Sequence, residues 1–336
     1  DNFFKMLWTG GTYHIRSVPT ADTIATTARQ MAELQPTVFV DVPLGIKFLL
    51  DELQTDPMLC ASFLARLELI FFAGAGMDAE TWTRLNRFVE ENKQLCQSSL
   101  RIASGYGSTE SGSTICLSHE APSSPSEIGL PLPGLSLRLA EVDGRLEARI
   151  RGPNISPGYL SDSGSSEMPV DDRGFMCTGD VVASVRPTLP EMGLLFDGRL
   201  AEDFKLTSGT RVRVSALRQM LLSACAPYLS DIAIAGEKHD HLCAIIFPSK
   251  AALDIDEKQR NNIFSRALAA HNAQWPGSSM AIRRALVADR PPSQVEGEIN
   301  DKGHLVQRVC LSNRANDLFR LFARRLSEGI IIPKED

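Results

Sequence analysis

Hydrophobic positions in the first third of the chain switch between helical and strand-like spacing. Residues 20–34 repeat apolar side chains at helical intervals, and Pro36 ends the pattern. Short apolar runs at 37–40 and 69–72 predict buried strands, whereas the intervening segment from Leu49 to Leu69 is predicted to be mostly helical.

A glycine-rich loop made of Gly74, Ala75 and Gly76 follows the second predicted strand. Asp78 is placed to cap the next helix. The apolar face of that helix would consist of Trp82, Leu85, Phe88 and Val89. Strand, loop and helix in this order predict an α/β fold, in which ligands bind at the carboxyl ends of the strands.

From about Ile128 the apolar period becomes two, which predicts antiparallel strands. Asp143-Gly144 is a strong hairpin signal between two of these strands. Residues 161–172 are rich in Ser, Gly and Asp and predict a surface loop. The alternating positions are Leu135, Leu137, Leu139, Leu146, Ala148 and Ile150.

After Gly198 the pattern predicts a separate small α+β domain. A helix is expected at 214–224, strands at 232–235 and 243–247, and a long helix at 251–272. The predicted domains are therefore a partial α/β subdomain at 1–127, an antiparallel β subdomain at 128–198 and an α+β domain at 199–336.

Composition narrows the class of protein. The 336 residues are 43% hydrophobic and 23% charged, which excludes a wholly disordered chain and predicts about two domains. The net charge of −6 argues against a nucleic acid as the main partner. The seven cysteines are scattered singly, which is typical of reduced thiols, so a cytoplasmic location is expected. No apolar run reaches the length of a membrane span. The opening residues begin in mid-pattern without a Met, so we expect the sequence to be N-terminally incomplete.

The sharpest candidate for chemistry is the run Gly105, Tyr106, Gly107, Ser108, Thr109 and Glu110. Glycines let backbone amides approach an anion, a threonine hydroxyl can bond a phosphate oxygen, and a glutamate can hold Mg²⁺. Taken alone, the run also fits a Gly-Ser linker or a plain turn.

Three other places carry candidate ligand groups. Asp180, in Thr178-Gly-Asp180, could accept both hydroxyls of a ribose, or could be an ordinary turn residue. Arg199 and Lys205 form a basic loop that could bind phosphate or ribose, or could be solvated. Lys302 lies in a loop next to Gly303, where most lysines face solvent.

Two further groups are expected to be structural. His239, Asp240 and His241 are explained by a polar turn between strands better than by a zinc site. The aromatic residues Phe3, Phe4 and Trp8, and later Phe71 and Phe72, have the spacing of core residues.

The order of these segments is more specific than any one of them. GYGSTES (105–111) is followed by EIGLPLPG (127–134), RGPNISPGYL (151–160), CTGD (177–180), GRLAEDFKLTSGTRV (198–212) and a late lysine loop. This order resembles the adenylate-forming superfamily of acyl-CoA synthetases, adenylation domains and luciferases, over essentially the whole chain. GRLAEDFKL and GEINDKGHLVQR look most like the feruloyl-CoA synthase branch, which activates aromatic acids such as hydroxycinnamates.

The resemblance implies a fold, substrates and residue roles. The fold would be the C-terminal part of a large α/β domain with a small β subdomain, followed by a small α+β domain that rotates between two half-reactions. The acid would attack the α-phosphate of MgATP, giving acyl-AMP and pyrophosphate, and the thiol of coenzyme A would then displace AMP. By resemblance, Thr109 contacts the α-phosphate, Glu110 holds Mg²⁺, Asp180 binds the ribose, Arg199 binds ribose or phosphate, and Lys302 is the nearest candidate for the adenylation lysine. Gly74–Gly76 with Gly105 and Tyr106 would frame the adenine and acyl pockets, and Gly107, Ser108 and Lys205 would join the nucleotide site.

Three departures from the family pattern are visible. The family's phosphate-binding loop lies upstream of all these segments and is not in this sequence. The hinge position, usually Asp or Lys, falls near Ala201, and the usual Gly-Lys of the catalytic lysine is Gly297-Glu298.

These departures leave two alternatives to an acid–CoA ligase. One is an adenylation module that loads a carrier protein or feeds a reductase, although about thirty residues after the lysine loop are too few for a carrier domain. The other is an inactive truncated remnant.

Overall fold

The computed structural model describes residues 2–15, 23–162, 164–300 and 303–334. The chain divides into two compact units, Asp1–Phe196 and Asp197–Asp336.

Two of the described helices of the first unit lie in or run into the segment 49–69. Asp56 accepts hydrogen bonds from the amides of Met58 and Leu59, both at 3.0 Å, and so caps a new helix that begins at Pro57. The prediction that 49–69 is mostly helical is confirmed, with a break at Asp56, because the residue before a proline is driven out of helical conformation. The helices are α1 (Asn2–Thr9), α2 (Ile24–Leu34), α3 (Pro43–Thr55), α4 (Pro57–Leu64) and α5 (Ala79–Asn92).

The strands of the first unit form one continuous nine-stranded sheet and a separate hairpin. They are β1 (Val38–Asp41), β2 (Leu69–Ala73), β3 (Arg101–Tyr106), β4 (Cys116–Leu117), β5 (Glu127–Pro131), β6 (Ser136–Val142), β7 (Arg145–Arg151), β8 (Gly158–Ser161), β9 (Gly164–Glu167), β10 (Met176–Ser184) and β11 (Leu194–Arg199), the last of which crosses the division. The order in the sheet is β1-β2-β3-β4-β5-β11-β10-β7-β6. β1 to β3 are parallel, and the β6–β7 and β7–β10 pairs are antiparallel. The division expected between residues 127 and 128 thus falls inside this sheet, at the start of β5.

The hairpin of β8 and β9 corrects the prediction of a loop over 161–172. Tyr159 pairs with Ser166, and Gly158 pairs with Glu167. The polar, glycine-rich composition concealed these strands because neither is buried enough to need an apolar face.

The core of the first unit lies between α2–α5 and the parallel strands. Asp78 caps α5 as predicted, accepting from the Thr81 amide at 2.8 Å, and Leu85 and Phe88 are buried. The core role predicted for the aromatics of α1 is wrong, because Phe3, Phe4 and Trp8 are 54%, 71% and 92% exposed. Apolar spacing predicted the helix correctly, but burial also requires a neighbouring surface.

The second unit contains a four-stranded sheet in the order β14-β15-β16-β17 and a short β12–β13 pair. The predicted helix over 251–272 is two helices, because Asp256 caps a new one by accepting from the Gln259 amide at 2.9 Å. The strands are β12 (Phe204–Lys205), β13 (Arg211–Val212), β14 (Leu229–Ala235), β15 (Leu242–Pro248), β16 (Ile282–Val287) and β17 (Ile330–Ile331). The helices are α6 (Val214–Ala224), α7 (Lys250–Leu253), α8 (Glu257–Gln274), α9 (Gln307–Asn313) and α10 (Ala315–Phe322). In the part of the chain that the structure describes, no helix is long and apolar enough to cross a bilayer.

Candidate functional site

The two glycine-rich loops lie side by side at the carboxyl edge of the parallel strands. Gly74–Gly76 directly follow β2, and Gly105–Ser108 run out of the end of β3. The parallel register pairs Ala73 with Gly105, so the loops leave the sheet as neighbours. Open α/β sheets bind ligands at this edge.

Two glycines of the second loop are required by close packing. A Cβ atom at Gly105 would lie 2.4 Å from the ring of Phe71, and one at Gly107 would lie 2.0 Å from the carbonyl oxygen of Ser113. A side chain at Gly107 would meet the backbone of Ser113, and one at Gly105 would displace the Phe71 ring, so close packing favours glycine at both positions.

Thr109 and Glu110 are held on a short 3₁₀ turn, Thr109–Ser111. The buried Ser111 hydroxyl accepts from the Ser108 amide at 3.0 Å and donates to the Ser108 carbonyl at 2.9 Å, which closes the turn. Thr109 is exposed and Glu110 is half-buried, so both can meet a ligand at the surface.

Tyr106 and Asp180 are brought together from sequence positions 74 residues apart. The Tyr106 hydroxyl donates to Asp180 Oδ2 at 2.7 Å, and the Asp180 side chain is almost fully buried. Burial first, and then the negative charge of Asp180, raise the pKa of the Tyr106 phenol well above its usual value. Tyr106 therefore stays protonated and acts as a donor to the carboxylate.

The turn carrying Asp180 is held by a buried glutamate that the sequence analysis missed. The Gly179 amide donates to Glu147 Oε1 at 2.9 Å, and Glu147 is only 3% exposed. Arg149 donates to the other oxygen of Glu147 at 2.7 Å and to Asp171 at 3.1 Å. The alternation of Leu146, Ala148 and Ile150 places Glu147 on the polar face of its strand, so the sequence pattern gave no signal of its burial.

Glu110 also has a partner that sequence reasoning did not single out. The Tyr159 hydroxyl donates to Glu110 Oε1 at 2.9 Å. This hydrogen bond, the largest of several effects, raises the pKa of Tyr159, so its proton is retained at neutral pH. Tyr159 lies within the segment RGPNISPGYL, whose order along the chain contributed to the resemblance.

The remaining candidate residues belong to the second unit or lie outside the described residues. Arg199 is the last residue of β11, Lys205 is the last of β12, and both are exposed. Lys302 lies outside the described residues. The residues that the structure brings together are thus those of the first unit.

Glu298 is a buried residue held by an ion pair and hydrogen bonds. Arg314 holds its two carboxylate oxygens in two hydrogen bonds of 3.0 Å, and the Ser293 amide adds one of 2.9 Å. Burial alone would raise the pKa of Glu298, but the hydrogen bonds from Arg314 and Ser293 and the charges of Arg314 and Arg290 lower it overall. Glu298 therefore stays ionised and is not exposed to a ligand.

The polar turn at His239–His241 shows ordinary local contacts. The ring of His239 stacks on Phe322 at 3.6 Å, and His241 Nδ1 lies 2.5 Å from Asp240 Oδ1. Within the described ranges there is no group of three or more His, Cys, Asp or Glu residues that could hold a metal ion.

Comparison with known proteins gives matches in both units. Residues 2–160 match the AMP-binding enzyme family, and residues 203–325 match the AMP-binding enzyme C-terminal domain. A human protein named long-chain-fatty-acid–CoA ligase 1 is 26% identical over 158 residues, covering 44% of this chain and 22% of the relative. The acyl-CoA ligase gloD of Glarea lozoyensis is 26% identical over 224 residues, covering 61% of this chain and 37% of the relative. The chain thus spans well under half of these curated relatives.

Solved structures share the fold. The adenylation domain of carboxylic acid reductase from Segniliparus rugosus, in complex with AMP and a co-purified carboxylic acid, matches with a TM-score of 0.68 and 21% identity. The match covers 95% of this chain and 52% of that one. The fold is that of adenylate-forming enzymes, as the sequence predicted, and this chain carries AMP-binding enzyme domains of the adenylate-forming superfamily.

Proposed function

We propose that this chain belongs to an ATP-dependent ligase that converts a carboxylic acid to acyl-AMP and then to its coenzyme A thioester. The observation that carries the proposal is the hydrogen bond from Tyr106 to Asp180. It joins the segments GYGSTES and CTGD beside the paired glycine loops. The curated relatives named as acyl-CoA ligases support the same chemistry.

In this proposal the first unit binds the nucleotide. Asp180, a buried carboxylate on a fixed turn, accepts hydrogen bonds from the ribose hydroxyls. The loops at Gly74–Gly76 and Gly105–Ser108 lie against the adenine and the acyl group, and Thr109 contacts the α-phosphate.

Glu110 fits a magnesium ion that arrives with ATP. Mg²⁺ is usually held by one or two protein carboxylates together with substrate phosphates and water. A single half-buried glutamate on an exposed turn meets that description, and the described residues offer no preformed metal cluster. The ion would neutralise charge on the phosphates while pyrophosphate leaves.

The second unit supplies the other proposed contacts. Arg199 and Lys205 bind ribose or phosphate oxygens, and Lys302 is the adenylation lysine in place of the structural Glu298. The sequence indicates domain limits of 1–127, 128–198 and 199–336. In the proposal, the last of these domains rotates between the two half-reactions. Such hinge motions at a few residues are common in enzymes with two steps.

We further propose an aromatic, hydroxycinnamate-like acid as the substrate and the cytoplasm as the location. The first rests on the segments GRLAEDFKL and GEINDKGHLVQR, which resemble the feruloyl-CoA synthase branch. The second rests on seven cysteines that are all free thiols in the structure.

Nucleotide binding by this chain tests the core of the proposal. Asp180→Asn should weaken AMP binding at least about tenfold in titration calorimetry, because a buried charged acceptor for the ribose is lost. Asp172→Asn, at an exposed aspartate before the same strand, is the matched control and should leave the affinity unchanged. Equal affinities for wild type and Asp180→Asn would contradict the assigned role.

The reaction itself is tested by acid-dependent ATP–pyrophosphate exchange in the presence of Mg²⁺. A panel of hydroxycinnamic, benzoic and fatty acids identifies the substrate, and mass spectrometry of the thioester separates transfer to coenzyme A from transfer to a protein. Exchange with hydroxycinnamates and a coenzyme A product are expected. A folded protein that contains the upstream half and still shows no exchange with any acid would contradict the proposed ligase activity.

A further inference from the structure

The turn that carries Glu110 is clamped by one segment from a distant part of the sequence. The Asn154 side-chain amide donates to the Ser111 carbonyl at 2.6 Å, and the Ser156 amide donates to the Glu110 carbonyl at 2.7 Å. The Tyr159 hydroxyl then reaches the Glu110 carboxylate itself, at 2.9 Å. Both the backbone and the side chain of Glu110 are therefore held from the same segment, 154–159.

This segment has a firm base of its own. Tyr159 lies on β8, which pairs with β9, and the Met168 amide donates to the Pro157 carbonyl at 3.0 Å. Ile155 packs against a buried cluster that includes Ile150. The phenol is thus presented to Glu110 by a hairpin that is tied to the body of the unit.

A hydrogen bond to one carboxylate oxygen fixes the plane of the carboxylate. Partners of metal-binding carboxylates commonly act in this way, and their loss lowers metal affinity although they do not touch the metal. Tyr159 is suited to the task because its neutral hydroxyl donates without bringing a positive charge that would compete with a cation.

We propose that Tyr159 is a positioning residue that orients Glu110 toward the magnesium ion of bound MgATP. The inference rests on the proposed function, because it needs the chain to bind the magnesium nucleotide. It assigns a specific task to the segment RGPNISPGYL, which is to set the geometry of the metal-binding turn.

The test is a binding experiment on the chain rather than an assay of turnover. Calorimetry compares the affinity for MgATP with that for ATP in EDTA, in wild type and in Tyr159→Phe. We expect wild type to bind MgATP more tightly than metal-free ATP, and we call the ratio of these two affinities the Mg²⁺ advantage. Tyr159→Phe should lower this ratio about tenfold. Its affinity for metal-free ATP should stay unchanged. Tyr13→Phe, which removes an exposed phenol elsewhere in the first unit, is the matched control and should behave as wild type.

A double-mutant cycle tests whether Tyr159 affects Mg²⁺-dependent binding through Glu110. Glu110→Gln should abolish the advantage given by Mg²⁺, and adding Tyr159→Phe to it should change nothing more, because the hydroxyl would act only through the carboxylate. Thermal unfolding confirms that each variant is folded.

The outcomes separate the inference from the proposed function. An unchanged Mg²⁺ advantage in a folded Tyr159→Phe overturns the inference, and so does an additive loss in the double variant. Weaker binding of metal-free ATP by Tyr159→Phe also overturns it, because the hydroxyl would then contact the nucleotide directly. Failure of wild type to bind ATP in either form overturns the proposed function of this chain itself.

Discussion

Two supporting residues that differ in burial, Glu147 and Tyr159, hold the turn of Asp180 and the side chain of Glu110. Glu147 is buried and holds the Gly179 amide, whereas Tyr159 is half exposed and holds the Glu110 carboxylate. A buried charge is stable only when it is paired and hydrogen-bonded, and Arg149 pairs with Glu147. Asp171, which binds Arg149 from its other side, therefore helps to support the turn that carries Asp180.

Asp171 gives the first prediction about stability. The amide of Phe175, the largest favourable contact, together with the amide of Arg173 and the guanidinium of Arg149, lowers the pKa of Asp171 to about 2. A lowered pKa means that this residue stabilises the fold above its ordinary pKa of about 4 and loses that contribution as pH falls toward 2. Asp171→Asn should therefore be less stable than wild type at pH 6, and the difference should shrink between about pH 4 and pH 2 in urea unfolding.

Asp162→Asn is the control for this pH dependence, since its side chain is exposed. A stability difference between Asp171→Asn and wild type that stays constant down to pH 2 would show that the ionised carboxylate is not the stabilising group.

At the scale of elements, an ion pair fastens the segment that leads to Lys302. Beyond this ion pair, the Val306 amide donates to the Glu298 carbonyl at 2.8 Å. Arg314, between α9 and α10, binds Glu298 and lies over the ring of Phe247 at 4.8 Å. Through Arg314, Glu298 is thus joined to the helices and to β15.

Removing one partner of this pair should destabilise the second unit strongly. Arg314→Met leaves an ionised Glu298 buried without its main counter-charge, and such losses cost about 3–5 kcal/mol. Urea unfolding measures the change, and Arg308→Met, at an exposed arginine on α9, should cost little.

The double variant Glu298→Gln with Arg314→Met sharpens this prediction. Because no unpaired charge remains, it should be more stable than Arg314→Met alone. An additive loss would mean that the two side chains act independently of each other.

At the scale of the whole molecule, the proposed activity draws on residues of both units. Asp180 and Glu110 belong to the first unit, and Arg199, Lys205 and Lys302 lie in the second part of the sequence. An acidic protein with a net charge of −6 has to concentrate its positive groups locally in order to bind a triphosphate.

Lys302 provides the prediction at this scale. In protein that shows acid-dependent ATP–pyrophosphate exchange, Lys302→Ala should reduce exchange by about a hundredfold or more, because a positive charge that stabilises the transition state is lost. Formation of the coenzyme A thioester from added acyl-AMP should be retained. Lys258→Ala, at an exposed lysine on α8, is the control, and equal loss of both half-reactions in Lys302→Ala would refute the assignment.

The sequence by itself determined the elements and the order of the segments, and through that order the fold family. Apolar periodicity predicted β1, β2 and α5, because burial of one face imposes that spacing wherever the element occurs. It did not predict the breaks at Asp56 and Asp256, where a side chain caps a new helix, or the exposure of Trp8, which depends on what lies beside it. Only the tertiary structure decided which side chains support the candidate site. Glu147 and Tyr159 act across long sequence separations, and contacts of that kind follow from chain topology rather than from local pattern.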